Sequence, residues 1–213
     1  MHYSARTFLV AVLTVAVFLA PGCGRRVERA PIDSIPEETD NEVKISELEK
    51  MAIEYPDDEN VYFALGNVYY EEAMPVEAQM SYEKALELNP KMNKARINMA
   101  MLLAETADPD TGLAILKQAI EMDDRDSKAY NNIGMIYYSK GDYNLSVKSY
   151  TKALEIDPDN VEARYNLGLA FAETGLLVEA VREWRKVLEL DPEGEMGERT
   201  RVSLEKVERL LAE

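Results

Sequence analysis

Few side chains in this sequence could make or break a covalent bond. The only histidine is His2 and the only cysteine is Cys23. The chain beyond residue 23 therefore has neither an imidazole base nor a thiolate. That removes a Ser-His-Asp triad, a Cys-His pair, an HExxH zinc site and any histidine metal centre. Glycine-rich phosphate loops are absent from the sequence too. Carboxylates abound, and the neighbours Glu71-Glu72 and Asp123-Asp124 could in principle exchange protons. In a chain with 40 acidic residues against 24 basic ones, such pairs read as solvated surface. One chemical feature does recur: the carboxamides Asn98, Asn132 and Asn166 stand 34 residues apart. A carboxamide donates and accepts at once, so the chemistry on offer is recognition, and no enzymatic step, cofactor or metal is expected. A net charge of −16 also argues against nucleic acid, whose phosphates demand a basic face.

The same step organises the whole middle of the chain. Gly66, Gly134 and Gly168 keep a period of 34, Ala100 fills the skipped place, and Pro90, Pro158 and Pro192 repeat it independently. From Ser127 to Asn160, the residues Tyr130, Ile133, Gly134 and Tyr137 share one face of a first helix, because residues three and four apart are neighbours there. Ser146, Tyr150 and Ala153 do the same on a second helix. Gly141 allows the left-handed turn between them, Asp142 offers an N-cap, and Pro158 stops the second helix for want of an amide hydrogen. Gly134, Ser146 and Ala153 let the helices approach, and Tyr137 and Tyr150 fill the gaps. A single hairpin of this size cannot bury its apolar face, so it must stack on copies of itself.

The order of residues resembles the tetratricopeptide repeat, a family with this period. Glu59 to Met92 matches in residue class through Tyr62, Leu65, Gly66, Tyr69, Ala78, Tyr82, Ala85 and Pro90, and Ser127 to Asn160 matches as well. Val161 to Gly194 keeps Leu167, Gly168, Phe171, Ala180, Trp184 and Pro192, but has Arg164 for an aromatic and Val187 for alanine. Asn93 to Asp126 departs furthest, with Arg96 for the aromatic and Asp124 for proline. The resemblance implies an all-α fold, a right-handed α-solenoid of stacked antiparallel helix pairs, with repeats at 59–92, 93–126, 127–160 and 161–194. A helix over 42–57 and another over 195–213 would cap the two ends.

The start of the chain reads as an export signal over residues 1–22. Arg6 and the amino terminus are positive, and Phe8 to Ala20 is a mainly apolar run of 13 residues, too short to span a bilayer comfortably. The segment Leu19-Ala20-Pro21-Gly22-Cys23-Gly24 resembles a bacterial lipobox, which implies cleavage before Cys23 and acylation of it; palmitate is among the chains expected. Ordinary signal cleavage is the alternative, since Ala20 and Gly22 satisfy the small-residue rule. Gly24, where retained enterobacterial lipoproteins carry aspartate, points to the outer membrane, with the protein facing the periplasm. Residues 23–41 then read as the lipidated cysteine and a flexible tether, charged and with two prolines. Arg25, Arg26 and Arg29 could rest on anionic headgroups or be merely solvated.

In stacked helical pairs the first helix of each repeat lines a concave groove. The residues expected there are Phe63, Asn67 and Tyr70, then Ile97, Asn98 and Met101, then Lys128, Asn131, Asn132, Met135 and Tyr138, then Tyr165, Asn166 and Leu169. By the resemblance, the recurring asparagines hold the backbone of an extended protein or peptide partner. The related carboxylate clamp keeps Asn67, Asn98 and Lys128 here, but has Phe63 and Asn132 where cations belong. The resulting expectation is a membrane-anchored interaction scaffold of the bacterial cell envelope, assisting assembly of a pilus- or secretion-type complex. The alternative is an accessory or ligand-binding subunit of a cell-wall or polysaccharide machine.

Overall fold

The computed structural model describes residues 28–212, so the expected signal peptide and Cys23 lie outside the described residues. After a short 3-10 turn at Ile32–Ser34 come ten α-helices among the described residues. They are α1 (Asn41–Glu54), α2 (Glu59–Glu71), α3 (Pro75–Leu88), α4 (Asn93–Thr106), α5 (Pro109–Met122), α6 (Ser127–Ser139), α7 (Tyr143–Ile156), α8 (Val161–Glu173), α9 (Leu177–Leu190) and α10 (Glu195–Ala212). From α2, α4, α6, α8 to α10 the helix starts advance by 34 residues each, and so do those of α1, α3, α5, α7 and α9. Each first helix packs on its own second helix and on the next first helix, which makes an all-α superhelix.

Close packing inside each pair rests on one small residue facing one large one. A Cβ on Gly134 would stand 2.6 Å from the ring of Tyr150, and Gly66 and Gly168 lie against Tyr82 and Trp184 in the same way. In the second repeat the small residue has changed helices. Ala100 takes the glycine place on α4, and Gly112 on α5 brings its Cα so close that a Cβ would lie 2.6 Å from the Ala100 carbonyl oxygen. The missing proline there is also compensated. Asp123 accepts a hydrogen bond from the Arg125 amide (3.0 Å), as Asn89 does from Lys91 (3.1 Å) and Asp157 from Asp159 (3.2 Å). This side-chain turn ends the second helix whether or not proline follows.

The arginines that stood in for aromatics have a shared role. The Tyr62 hydroxyl donates to the carbonyl of Pro56 (3.3 Å), the Arg96 guanidinium to that of Pro90 (2.7 Å), and the Arg164 guanidinium to that of Pro158. Each donor sits six residues after its acceptor and closes the loop between repeats. Arg164 also pairs with Glu183 at 2.8 Å, with both side chains largely shielded.

Two expectations are corrected. Asp142 stands at the N-cap of α7 but its side chain makes no capping bond, whereas Asp58, Asp126 and Asn160 do cap α2, α6 and α8. On α1 the buried face is carried by Leu48 with Ile45, Met51 and Ala52, while Val43 is 50% exposed. The tether does not stay free up to residue 41: Ala30, Ile32 and Ile35 pack on the first core cluster, and Arg29 binds Asp58 and Glu59 at 2.7 Å each.

Candidate functional site

The first helices α2, α4, α6 and α8 stand side by side, and the side chains on their shared face determine what the hollow can hold. Among the described residues it contains an open cleft of about 420 Å³ between α4, α6 and α8. Ile97, Asn98, Lys128, Asn131, Asn132, Asp157, Asn160 and Glu162 line it. Five expected groove residues, Ile97, Asn98, Lys128, Asn131 and Asn132, are thus brought together. Asp157, Asn160 and Glu162 were not foreseen, because they sit at the loop and first turn of α8, where sequence alone reads them as capping and surface residues. Asn160 does cap α8, and its amide also donates to the Ser127 hydroxyl (3.1 Å), which places it at the cleft wall.

The asparagines divide into two kinds. Asn98 donates to the Asn67 oxygen (2.8 Å), which also accepts the Tyr82 hydroxyl (3.0 Å). Asn166 donates to Asn131 (3.4 Å), and Asn131, only 3% exposed, donates to Glu162 (3.2 Å). These pairs tie neighbouring first helices together, so much of their hydrogen-bonding capacity is used within the stack. Asn132 and Lys128 differ: among the described residues neither makes a side-chain hydrogen bond or ion pair, and both line the cleft.

The remaining expected residues are dispersed. Phe63 lies under the Lys94 ammonium, 4.4 Å from the ring centroid, so one cation does stand over this place although Phe63 itself is neutral. Met101, Met135 and Leu169 are half-buried against the core clusters between helices. Tyr70 is 39% exposed and donates to Glu105 (2.9 Å), and two repeats further on Tyr138 donates to Glu173 (3.2 Å). Burial, followed by the Glu105 hydrogen bond, pushes the Tyr70 hydroxyl up to about 12. Burial and the Glu173 charge do the same for Tyr138. Both tyrosines are therefore neutral donors on the rim at physiological pH. Three expected groove residues, Asn131, Tyr165 and Ile97, are largely buried. Asn131 is buried between α6 and α8, and Tyr165 is 6% exposed, with its hydroxyl 3.3 Å from Ser203 and Arg199 above its ring. Ile97 holds the same place in its repeat and is 5% exposed, so this position is largely buried between first helices, where Ile97 and Asn131 border the cleft.

The fold and this face define a helical solenoid with a polar inner cleft, lined by carboxamides, one ammonium and two carboxylates. Comparison narrows the class. A TPR repeat profile matches residues 134–175 and a tetratricopeptide repeat profile matches residues 59–92. Among solved structures, MamA is 23% identical over 78% of this chain and 98% of its own, with a TM-score of 0.63. TTC0263, a thermophilic TPR protein of Thermus thermophilus, is 19% identical over 78% and 90%, with a TM-score of 0.68. YrrB, described as a TPR protein with an unusual peptide-binding site, is 22% identical over 76% and 83%, with a TM-score of 0.55. No curated protein matches the chain. The chain carries tetratricopeptide repeats over the matched residues, and its fold is that of solved tetratricopeptide-repeat proteins.

Proposed function

We propose that this protein is a lipid-anchored scaffold of the bacterial cell envelope that holds a segment of a partner protein in its inner cleft and so assists assembly of a larger complex. Anchoring through Cys23, the outer membrane as address and a pilus- or secretion-type complex belong to this reading. They are drawn from the sequence. The observation that carries the binding role is the pair Lys128 and Asn132, unpartnered in a cleft whose other carboxamides are engaged. A free carboxamide can bond both groups of a peptide unit, and the neighbouring ammonium suits a carbonyl or carboxylate. The binding site of YrrB supports a peptide as occupant.

The test is recovery of envelope partners by the intact protein and by Lys128→Ala/Asn132→Ala. Because neither side chain has a partner to lose, the double variant keeps its melting temperature. We expect recovery to fall about tenfold, the effect of roughly 1.4 kcal/mol. Undiminished recovery from an equally stable variant removes the cleft from consideration. Radioactive fatty-acid labelling, lost on Cys23→Ala, tests the anchor separately. A second reading, a subunit of a cell-wall or polysaccharide machine, draws on the exposed ring of Tyr70 and the half-buried ring of Tyr138. Closure of Tyr165 weakens it by breaking the aromatic row. Binding of muropeptides without any envelope protein would favour it.

A further inference from the structure

One period before α2 (Glu59–Glu71) lies 25–37, where a further first helix would pair with α1. Pro31 and Pro36 forbid a regular helix there, having no amide hydrogen to give. The described part of this stretch nevertheless takes the helix's place. At one end Arg29 makes two bonds to Glu59 (2.7 and 3.1 Å) and one to Asp58 (2.7 Å), and the Ala30 amide donates to Asp58 (2.8 Å). At the other end the Asn41 amide reaches Glu72 (3.0 Å) and Glu71 (3.3 Å). The segment therefore runs from the first to the last turn of α2, parallel to it, and lays Ala30, Ile32 and Ile35 on the first core cluster. Asp58 is 1% exposed, so the carboxylate that receives Arg29 is a buried socket and not a solvated charge.

We infer that residues 29–40 are a docked strap that substitutes for a missing helix and sets the distance of the solenoid from its membrane anchor. This rests on the lipid-anchor reading of Cys23 for its functional half, and on the contacts above for its structural half. A free tether from Cys23 to Asn41 could extend about 60 Å, whereas docking at Arg29 limits the reach from Cys23 to about 20 Å at most. The edge of the first repeat, where α2 begins, then lies nearest the bilayer, and α10 lies furthest. A strap of this kind stops the acidic solenoid from sweeping freely and presents the cleft at one height above the membrane.

The experiment uses the full chain purified from its membrane and reconstituted in vesicles that carry a nitroxide-labelled headgroup. Hydrogen exchange is read over 29–40, and quenching is read from a dye at Lys91→Cys and, separately, at Arg209→Cys. We expect the Ala30 amide to be protected, with exchange over 29–40 rising at least tenfold in Arg29→Ala while α6 to α9 stay unchanged. We also expect strong quenching at residue 91 and weak quenching at 209, with the two converging in Arg29→Ala. Free exchange over 29–40 in the unaltered protein, or protection that survives Arg29→Ala and Asp58→Asn alike, overturns the strap. If the protein fails to stay on vesicles, the anchor reading and the standoff fall, while exchange still decides the strap by itself.

Discussion

At the scale of single residues, the packing of this protein turns on side chains that are absent. Gly168 faces Trp184, which is 1% exposed and cannot move aside, so Gly168→Ala should cost about 1–3 kcal/mol by overpacking and lower the melting temperature by several degrees. The turn between paired helices makes a different demand. Gly141 and Gly175 occupy the left-handed region there, both at φ 78°, but the first repeat puts Ala73 at that place with φ 53°. Ala73→Gly should therefore stabilise the protein, by up to about 1 kcal/mol, because the strain on an L residue exceeds the entropy lost by glycine. Thermal melts of both variants check the two signs. Arg164 is the residue whose role was hardest to see, since its type departs from the family pattern. Its bonds to Glu183 and to the Pro158 carbonyl show that a long donor can close the loop that Tyr62 closes with a hydroxyl.

At the scale of elements, the strap is the part of the structure most sensitive to acid. Burial pushes the Asp58 carboxyl up, but the Ala30 amide, the Arg29 guanidinium and Asn60 outweigh it and leave the group below its ordinary value. The Arg29 hydrogen bond holds Glu59 below its ordinary value as well. Carboxylates lowered on folding stabilise the folded chain above their unfolded values near 4, and that contribution is lost as pH falls through the folded ones. Exchange protection over 29–40 should thus persist at neutral pH and fade below about pH 4, ahead of protection in α6 to α9. The expectation of a free tether missed this because the partners Arg29 and Asp58 lie 29 residues apart, and no local pattern links them. The second repeat teaches the opposite lesson. Its departures at Arg96 and Asp124 made it the least regular by sequence, yet the Arg96 bond to the Pro90 carbonyl, the Asp123 turn and the close approach of Gly112 to Ala100 preserve the same helix spacing.

At the scale of the whole molecule, stability is shared between neighbours in a row, so damage should stay local. Removing α10 uncovers Tyr165, Val181 and Val187, which Leu204 and Val207 help to cover in the third cluster. A chain ending at Asp191 should lose exchange protection over α8 and α9 first, while α2 to α5 stay protected. Uniform loss along the chain would show that the row behaves as one cooperative block. The repeat is legible in the residues alone: a period of 34, the small-against-large pairs and the breaks between helices are local patterns that each copy restates. Only tertiary structure decided which asparagines remain available. Asn98, Asn131 and Asn166 lie on helices of like design, but whether a carboxamide faces a partner or the hollow depends on what the neighbouring repeat puts opposite it. Asn67 lies opposite Asn98 and Glu162 opposite Asn131, while nothing within the described chain engages Asn132. A periodic sequence specifies the face of its helices, and the contact across repeats then spends or spares the hydrogen bonds on that face.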